Sequence, residues 1–190
     1  MVRFSKALAD EGFAQISLAA ENRRLASYWL SLWEVDELPQ WRHYDPSRVR
    51  DLLPGIAIME IKASTYVRMK LSGSAVNAAF GHDLSGQDVL AVTKESDRAT
   101  RLARNSQIAE GCASWAIRKG RAVDGSDWLS EEVQLPFRDV LPTGARLVLF
   151  HTTWRPASPA MRIIDPIDGL GLVEKWHTID LRHNVGNEKP

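Results

Sequence analysis

The stretch TYVRMKLSG, residues 65–73, constrains the fold more than any other part of the chain. Val67, Met69 and Leu71 fall on one face of an extended backbone, and Tyr66, Arg68, Lys70 and Ser72 on the other. Apolar residues at period two predict an antiparallel strand with one buried face. The run IAIMEI, residues 56–61, predicts a second strand, and the short link KAS makes the two a hairpin. Three more strands are expected in CASWAIRKG (112–120), SEEVQLPF (130–137) and ARLVLFHTTW (145–154). A loop around Asp124-Gly125 and a turn at Pro142-Thr143-Gly144 separate them. Pro136 marks an edge or a bulge in the second of the three.

Helical segments fill the intervals. Residues 5–33 read as helical, weakened or split at Gly12. Within them, Leu25, Trp29, Leu32 and Trp33 form one apolar stripe. That stripe either packs on the domain's own core or serves as a dimer contact. In DELPQWRHYDPSRVRDLLPG, Asp45 is the expected N-cap and Pro46 the first residue of a short helix ending before Pro54-Gly55. After the hairpin, Ala75, Ala78 and Ala79 suit one tight helical turn stopped by Gly81. A longer helix is expected over 94–110, with Leu102 and Ile108 inward and Gly111 as its stop. Its Arg98, Arg101 and Arg104 read as a solvated helix face rather than a binding patch. Beyond Trp154, RPASPA reads as a linker, and IIDPIDGLGLVEKWHTIDLRHNV (163–185) holds one more strand or a short helix.

This order predicts an α+β domain: a five-stranded antiparallel sheet with helices on one face and an N-terminal flanking helix. The expected divisions are an N-terminal helical extension (1–35), a sheet domain (36–155) and a C-terminal extension (156–190). Hydrophobic residues make up 44% and charged residues 25%, values of a soluble globular chain. Its 24 basic and 24 acidic residues balance, so no general nucleic-acid binder is expected. No apolar run reaches membrane-spanning length, and charges interrupt the N-terminus where a signal peptide needs an apolar stretch. The single cysteine, Cys112, excludes an intramolecular disulfide and a multi-thiolate zinc site. It is expected to be buried and inert, in a cytoplasmic protein.

AFGHDLSGQDVL, residues 79–90, gathers His, Asp and Ser like a catalytic loop. Adjacent His82 and Asp83 diverge in most backbones, however, and Ser85, Ser114 and Ser126 lack a Gly-x-Ser-x-Gly context. Nor do the glycines have the spacing of a dinucleotide-binding or phosphate loop. His43 and Asp45 lack a third metal ligand nearby. The expectation is a non-enzyme without a metal site, in which this stretch is architecture: Phe80 inward, His82 exposed, Gly81 and Gly86 in turns.

The strings YWLSLWEVDELPQWRHYDP, LLPGIAIMEI, VRMKLSGSAVNAAFGHDLSG and VQLPF, in this order, resemble the bacterial group "PAS domain, family 5", formerly a domain of unknown function. The resemblance covers roughly residues 28–154. Two positions depart from the pattern. Lys70 stands where the family usually has Arg, and Ser74 where it often has Thr. Lys lacks the bidentate fork, which bears on anion binding.

The resemblance implies a sensory or regulatory domain with a small pocket between sheet and helices, signalling through a protein partner. Relatives hold haem, flavin, organic acids or nothing there. Strand alternation would line that pocket with Met69, Leu71, Phe80, Trp115, Leu135 and Phe150 or His151, the phase of the last strand being open by one residue. A flavin photosensor wants its cysteine before the long helix, and Cys112 follows it. Haem wants an axial histidine, for which only His82 and His151 come into view. A small organic ligand is therefore expected over either cofactor. In 190 residues the expected role is stand-alone, with homodimerisation through the Leu25, Trp29, Leu32 and Trp33 stripe as a further possibility. The alternative is a protein-interaction or dimerisation module with a filled core.

Overall fold

The computed structural model describes residues 3–34, 37–62, 65–91, 93, 95–121, 127–155 and 172–183. In chain order the elements are β1 (Arg3–Phe4), α1 (Lys6–Ala14), α2 (Ala20–Ser31), 3₁₀ turns at Trp41–His43 and Pro46–Gly55, β2 (Ile56–Lys62) and β3 (Tyr66–Ser72). There follow α3 (Ser74–Phe80), α4 (Glu95–Ala109), β4 (Ala113–Arg121), β5 (Asp127–Val140), β6 (Arg146–Arg155), β7 (Leu172–Ile179) and β8 (Arg182–His183). The sheet is antiparallel throughout, in the order β3-β2-β6-β5-β4-β7. It has six strands rather than the expected five. The sixth, β7, comes from the C-terminal segment and pairs with β4, from Ala113 opposite Ile179 to Lys119 opposite Leu172. The expected loop at Asp124-Gly125, the linker beyond Arg155 and the Pro166 turn lie outside the described residues.

Local signals act as the residues require. Asp45 caps its helix by accepting from Ser47 N at 2.9 Å, with Pro46 at the first position, although the turns that follow are 3₁₀. Gly81 ends α3 in the left-handed conformation at φ 74°. Gly73, at φ −70°, is required for another reason. A Cβ there would stand 2.4–2.6 Å from the carbonyl oxygens of Pro54, Leu53 and Ile56.

Helices cover both faces of the sheet, not one. On the outer face, α1 and α2 bury Phe13, Leu25 and Trp29 against Ile58, Val133, Leu135, Phe137 and Leu149. Trp29 is fully buried and donates its indole N–H to Pro136 O at 3.2 Å. On the inner face, α3 and α4 meet Met59, Met69, Val148, Phe150 and Trp128 through Val76, Phe80 and Ile108. Pro136 lies past the end of the β4 pairing, where β5 has only β6 beside it, and the β5–β6 register shifts just beyond it.

Of the two roles expected for the apolar stripe, the structure shows packing on the chain's own core. Leu25 and Trp29 spend their surface on the chain's own sheet, and Leu32 and Trp33 are half-buried against the same cluster. A polar clamp fixes this layer. His151 on β6 meets Asn22 Oδ1 through Nδ1 at 2.6 Å. Asn22 Nδ2 donates to Glu131 Oε1 at 2.8 Å, as does Ala19 N at the start of α2. Because the Asn22 amide N–H groups are directed at Glu131, its oxygen is the acceptor and His151 Nδ1 carries the proton. Burial pushes the His151 pKa down to about 4, so the ring stays neutral.

Candidate ligand-binding cavity

A cavity of about 40 Å³ lies between the inner face of the sheet and the α3–α4 side of the chain. One water needs roughly 10–15 Å³ by this measure, so the space suits a compact molecule. Its β2–β3 end is apolar, with Met59, Met69, Val76 and Phe80. Its β4–β5–β6 end is polar, because the inward residues of those strands fall in cross-strand rows. Arg118 faces Ser130, and Ser130 faces Trp154. Glu132 faces Thr152, and Gln134 faces Phe150. Gly120 pairs with Trp128, and its missing side chain makes room for the indole, which a Cβ would meet at 2.3 Å.

Helix α4 closes this end with charge. Arg101, Arg104 and Ile108 share one helix stripe, and the two arginines reach the cavity wall. Arg104 is 3% exposed, and its Nη2 lies 3.4 Å from Glu132 Oε2. Arg118 Nε lies 2.6 Å from Glu132 Oε1. Arg101 makes no hydrogen bond or ion pair among the described residues. Three guanidiniums thus gather around one buried carboxylate, which Arg104 and Arg118 share. Desolvation pushes the Arg104 pKa down to about 10, helped by Arg118 and opposed by Glu132. Burial drives Arg101 the same way. For Glu132 burial pulls the pKa upward, but Arg118, Arg104 and Arg101 outweigh it and hold the carboxyl below its ordinary range. The donors are not all used: among the described residues, Arg104 Nε, Arg104 Nη1 and the Trp128 indole N–H are buried without an acceptor.

The residues 79–90 stretch forms the rim. Asp83 Oδ1 accepts from Ser85 N at 2.8 Å and from Asn77 Nδ2 at 3.0 Å, while Asn77 Oδ1 accepts from Leu84 N at 3.1 Å. Gly86, Gln87 and Val89 then bond to the free edge of β3: Gly86 N donates to Met69 O, Met69 N to Gln87 O, and Val89 N to Val67 O. The loop therefore shields a sheet edge and delivers Leu84, Gln87, Asp88 and Val89 to the cavity. Phe80 is buried and His82 exposed, as expected.

Of the expected pocket residues, the structure brings together Met69, Phe80 and Phe150. Leu71 is 53% exposed instead, because Lys70 is an extra residue in β3 between the Met59–Met69 and Ile58–Leu71 pairs. The bulge turns Leu71 out of the inner row. Trp115, Leu135 and His151 belong to the outer face: Trp115 and Leu135 join the cluster under α1 and α2, and His151 the clamp to Asn22. The last strand's phase is thus settled for Phe150. Sequence reasoning missed Arg101, Arg104, Arg118, Glu132 and Trp128. The available signal was the poverty of α4 in apolar residues, which leaves arginines on the stripe that carries Ile108.

Cys112 is buried near Asp180, and burial first, then that carboxylate, push its thiol up to about 11, the behaviour of an inert thiol. The described lining of the cavity holds no histidine and no cysteine. Among the described residues no cluster of three or more His, Cys, Asp or Glu stands ready for a metal, and no helix is long and apolar enough to cross a membrane.

The family described as "PAS domain" matches residues 18–147. No curated protein matches. Among solved structures, the chain is similar to an RNA-binding light-oxygen-voltage receptor at 19% identity and a TM-score of 0.41. The match covers 77% of this chain and 47% of that one, so the chain spans about half the receptor's length.

Proposed function

Because the chain belongs to the PAS domain family, we propose that it is a sensory or regulatory domain that holds a small molecule in the cavity and signals occupancy to a protein partner. The observation that carries this reading is the set of buried donors without acceptors at Arg104 and Trp128. Leaving such groups unpaired costs about 1–3 kcal/mol each, and more where they are charged. What sets this site apart from the neutral atoms left unpaired elsewhere is that two of its donors belong to a buried guanidinium. The residues also favour a compact organic ligand over haem or a cysteine-linked flavin. His82 is exposed, His151 faces the opposite side of the sheet, and Cys112 lies outside the lining.

Strands β5 and β6 give occupancy a route outward. Glu132 and Thr152 face the cavity, while their neighbours Glu131 and His151 hold Asn22 of α2 on the other side. A ligand that moves the inner row moves the clamp by the pleat alone. The test is to denature the purified chain, separate the small molecules it releases and identify them by mass spectrometry. The reading expects one molecule per chain. A chain that releases none, and gains no thermal stability from a cell-extract metabolite fraction, contradicts it.

A further inference from the structure

The character of the cavity says more than that something binds. Arg101, Arg104 and Arg118 converge on it against Glu132, and Arg104 is almost entirely removed from solvent. Asp88 also reaches the lining, but it is exposed at the rim and its Oδ1 is used by Leu90 N at 2.9 Å. The unused groups deep in the site, Arg104 Nε, Arg104 Nη1 and Trp128 Nε1, are all donors. Polar lining residues without such a deficit have partners nearby: Gln134 Oε1 accepts from Ser114 Oγ at 2.8 Å. Water can accept from an N–H, but it does not offset the charge of Arg104, which is almost entirely removed from solvent and shares Glu132 with Arg118; an uncompensated buried charge costs several kcal/mol in a low-dielectric site. An anion does both. The rest of the wall, Met59, Met69, Phe80 and Phe150, asks for an apolar body beside the charge.

Resting on the sensor reading above, we infer that the ligand is a small organic carboxylate, its carboxylate seated among Arg101, Arg104 and Trp128 and its apolar part against Met59, Met69 and Phe80. Glu132 has a defined part in this arrangement. It holds the Arg104 and Arg118 side chains in place through their contacts at 3.4 and 2.6 Å, leaving Arg104 Nε and Nη1 for the ligand. It also repels a misplaced anion from the back of the site. The volume restricts the class to compact acids.

Thermal-shift and calorimetric titrations of the full chain test this, with acetate, propionate, butyrate and succinate as probes, their amides as neutral matches, and inorganic phosphate as a separate anion. At least one carboxylate is expected to stabilise the chain while its amide does not. Arg104→Met is expected to weaken that binding about tenfold or more, the loss of a charge-assisted hydrogen bond. Arg101→Met, at a half-buried residue without a hydrogen bond or ion pair among the described residues, gives the same readout should Arg104→Met fail to fold. Amides binding as well as acids, phosphate binding in place of every acid, no acid binding at all, or unchanged affinity in both variants would each overturn the inference. The sensor reading fails separately, by the absence of any released or stabilising molecule.

Discussion

Acid should loosen the outer helices from the sheet through a single residue. His151 is 3% exposed and pairs with Asn22 Oδ1 at 2.6 Å, and burial holds its pKa near 4 against an ordinary 6.5. The folded pKa of this base is lowered, so between pH 6.5 and 4 the unfolded chain takes up a proton that the folded chain refuses. Stability therefore rises with pH across that window, being fully retained above 6.5 and fully lost below 4. The gap of roughly two and a half pH units corresponds to about 3 kcal/mol in total, of which about 2 kcal/mol falls between pH 7.5 and 5.0. The window lies above that of Glu132, whose lowered pKa makes its contribution disappear only as pH falls through the carboxylate range. Urea unfolding followed by tryptophan fluorescence at pH 7.5 and 5.0 measures the difference. His151→Asn supplies the control, since an amide can keep the donor to Asn22 and does not titrate. The wild type should lose about 2 kcal/mol more than the variant over this interval. Equal losses in both proteins would refute the reasoning and remove His151 as the acid-sensitive point of the clamp.

Other substitutions probe the frame. Gly73→Ala should cost about 3 kcal/mol, because its Cβ meets three backbone carbonyls that cannot move aside, whereas Gly81→Ala should cost only the 1–2 kcal/mol of a left-handed residue; thermal melts separate the two. Trp29→Ala should cost about 3–5 kcal/mol in urea titration and leave the molar mass by light scattering unchanged, since the side chain is buried in its own chain. Glu132→Gln should destabilise the chain by about 3–5 kcal/mol, because it removes the buried carboxylate that Arg104 meets; an unchanged melting temperature would contradict the charge assignment.

The strands were legible because period-two alternation shows in β3 and β5 and short apolar runs mark β2 and β6, and the resemblance rested on short motifs around them. What alternation does not reveal is which face is which when both are covered. Val133, Leu135 and Phe137 look like the pocket side of β5 because they are apolar, yet they lie under α2, and the polar side, Ser130, Glu132 and Gln134, lines the cavity. One inserted residue, Lys70, defeats the same logic at Leu71. Arginines at helical spacing read as solvated unless the helix is known to have little else to bury. Arg98 fits that reading, paired with Glu95 at 2.6 Å on the surface, but Arg101 and Arg104 do not. The C-terminal segment offered a strand or a short helix, and what stayed hidden was the place of β7 in the sheet, because its partner β4 is more than fifty positions away.

The central claim places the ligand on the inner face, beside Trp128, and leaves the outer face to the helices. The indole N–H resonances of ¹⁵N-labelled protein test it most directly. One sample is taken as purified, the other refolded after its small molecules are stripped by denaturation and dialysis. The Trp128 resonance should differ between the two samples, because its N–H gains an acceptor only when the site is filled, while that of Trp29, bonded to Pro136 O in either state, should stay in place. Superimposable spectra, or a Trp29 resonance that moves while Trp128 stays fixed, would contradict the account.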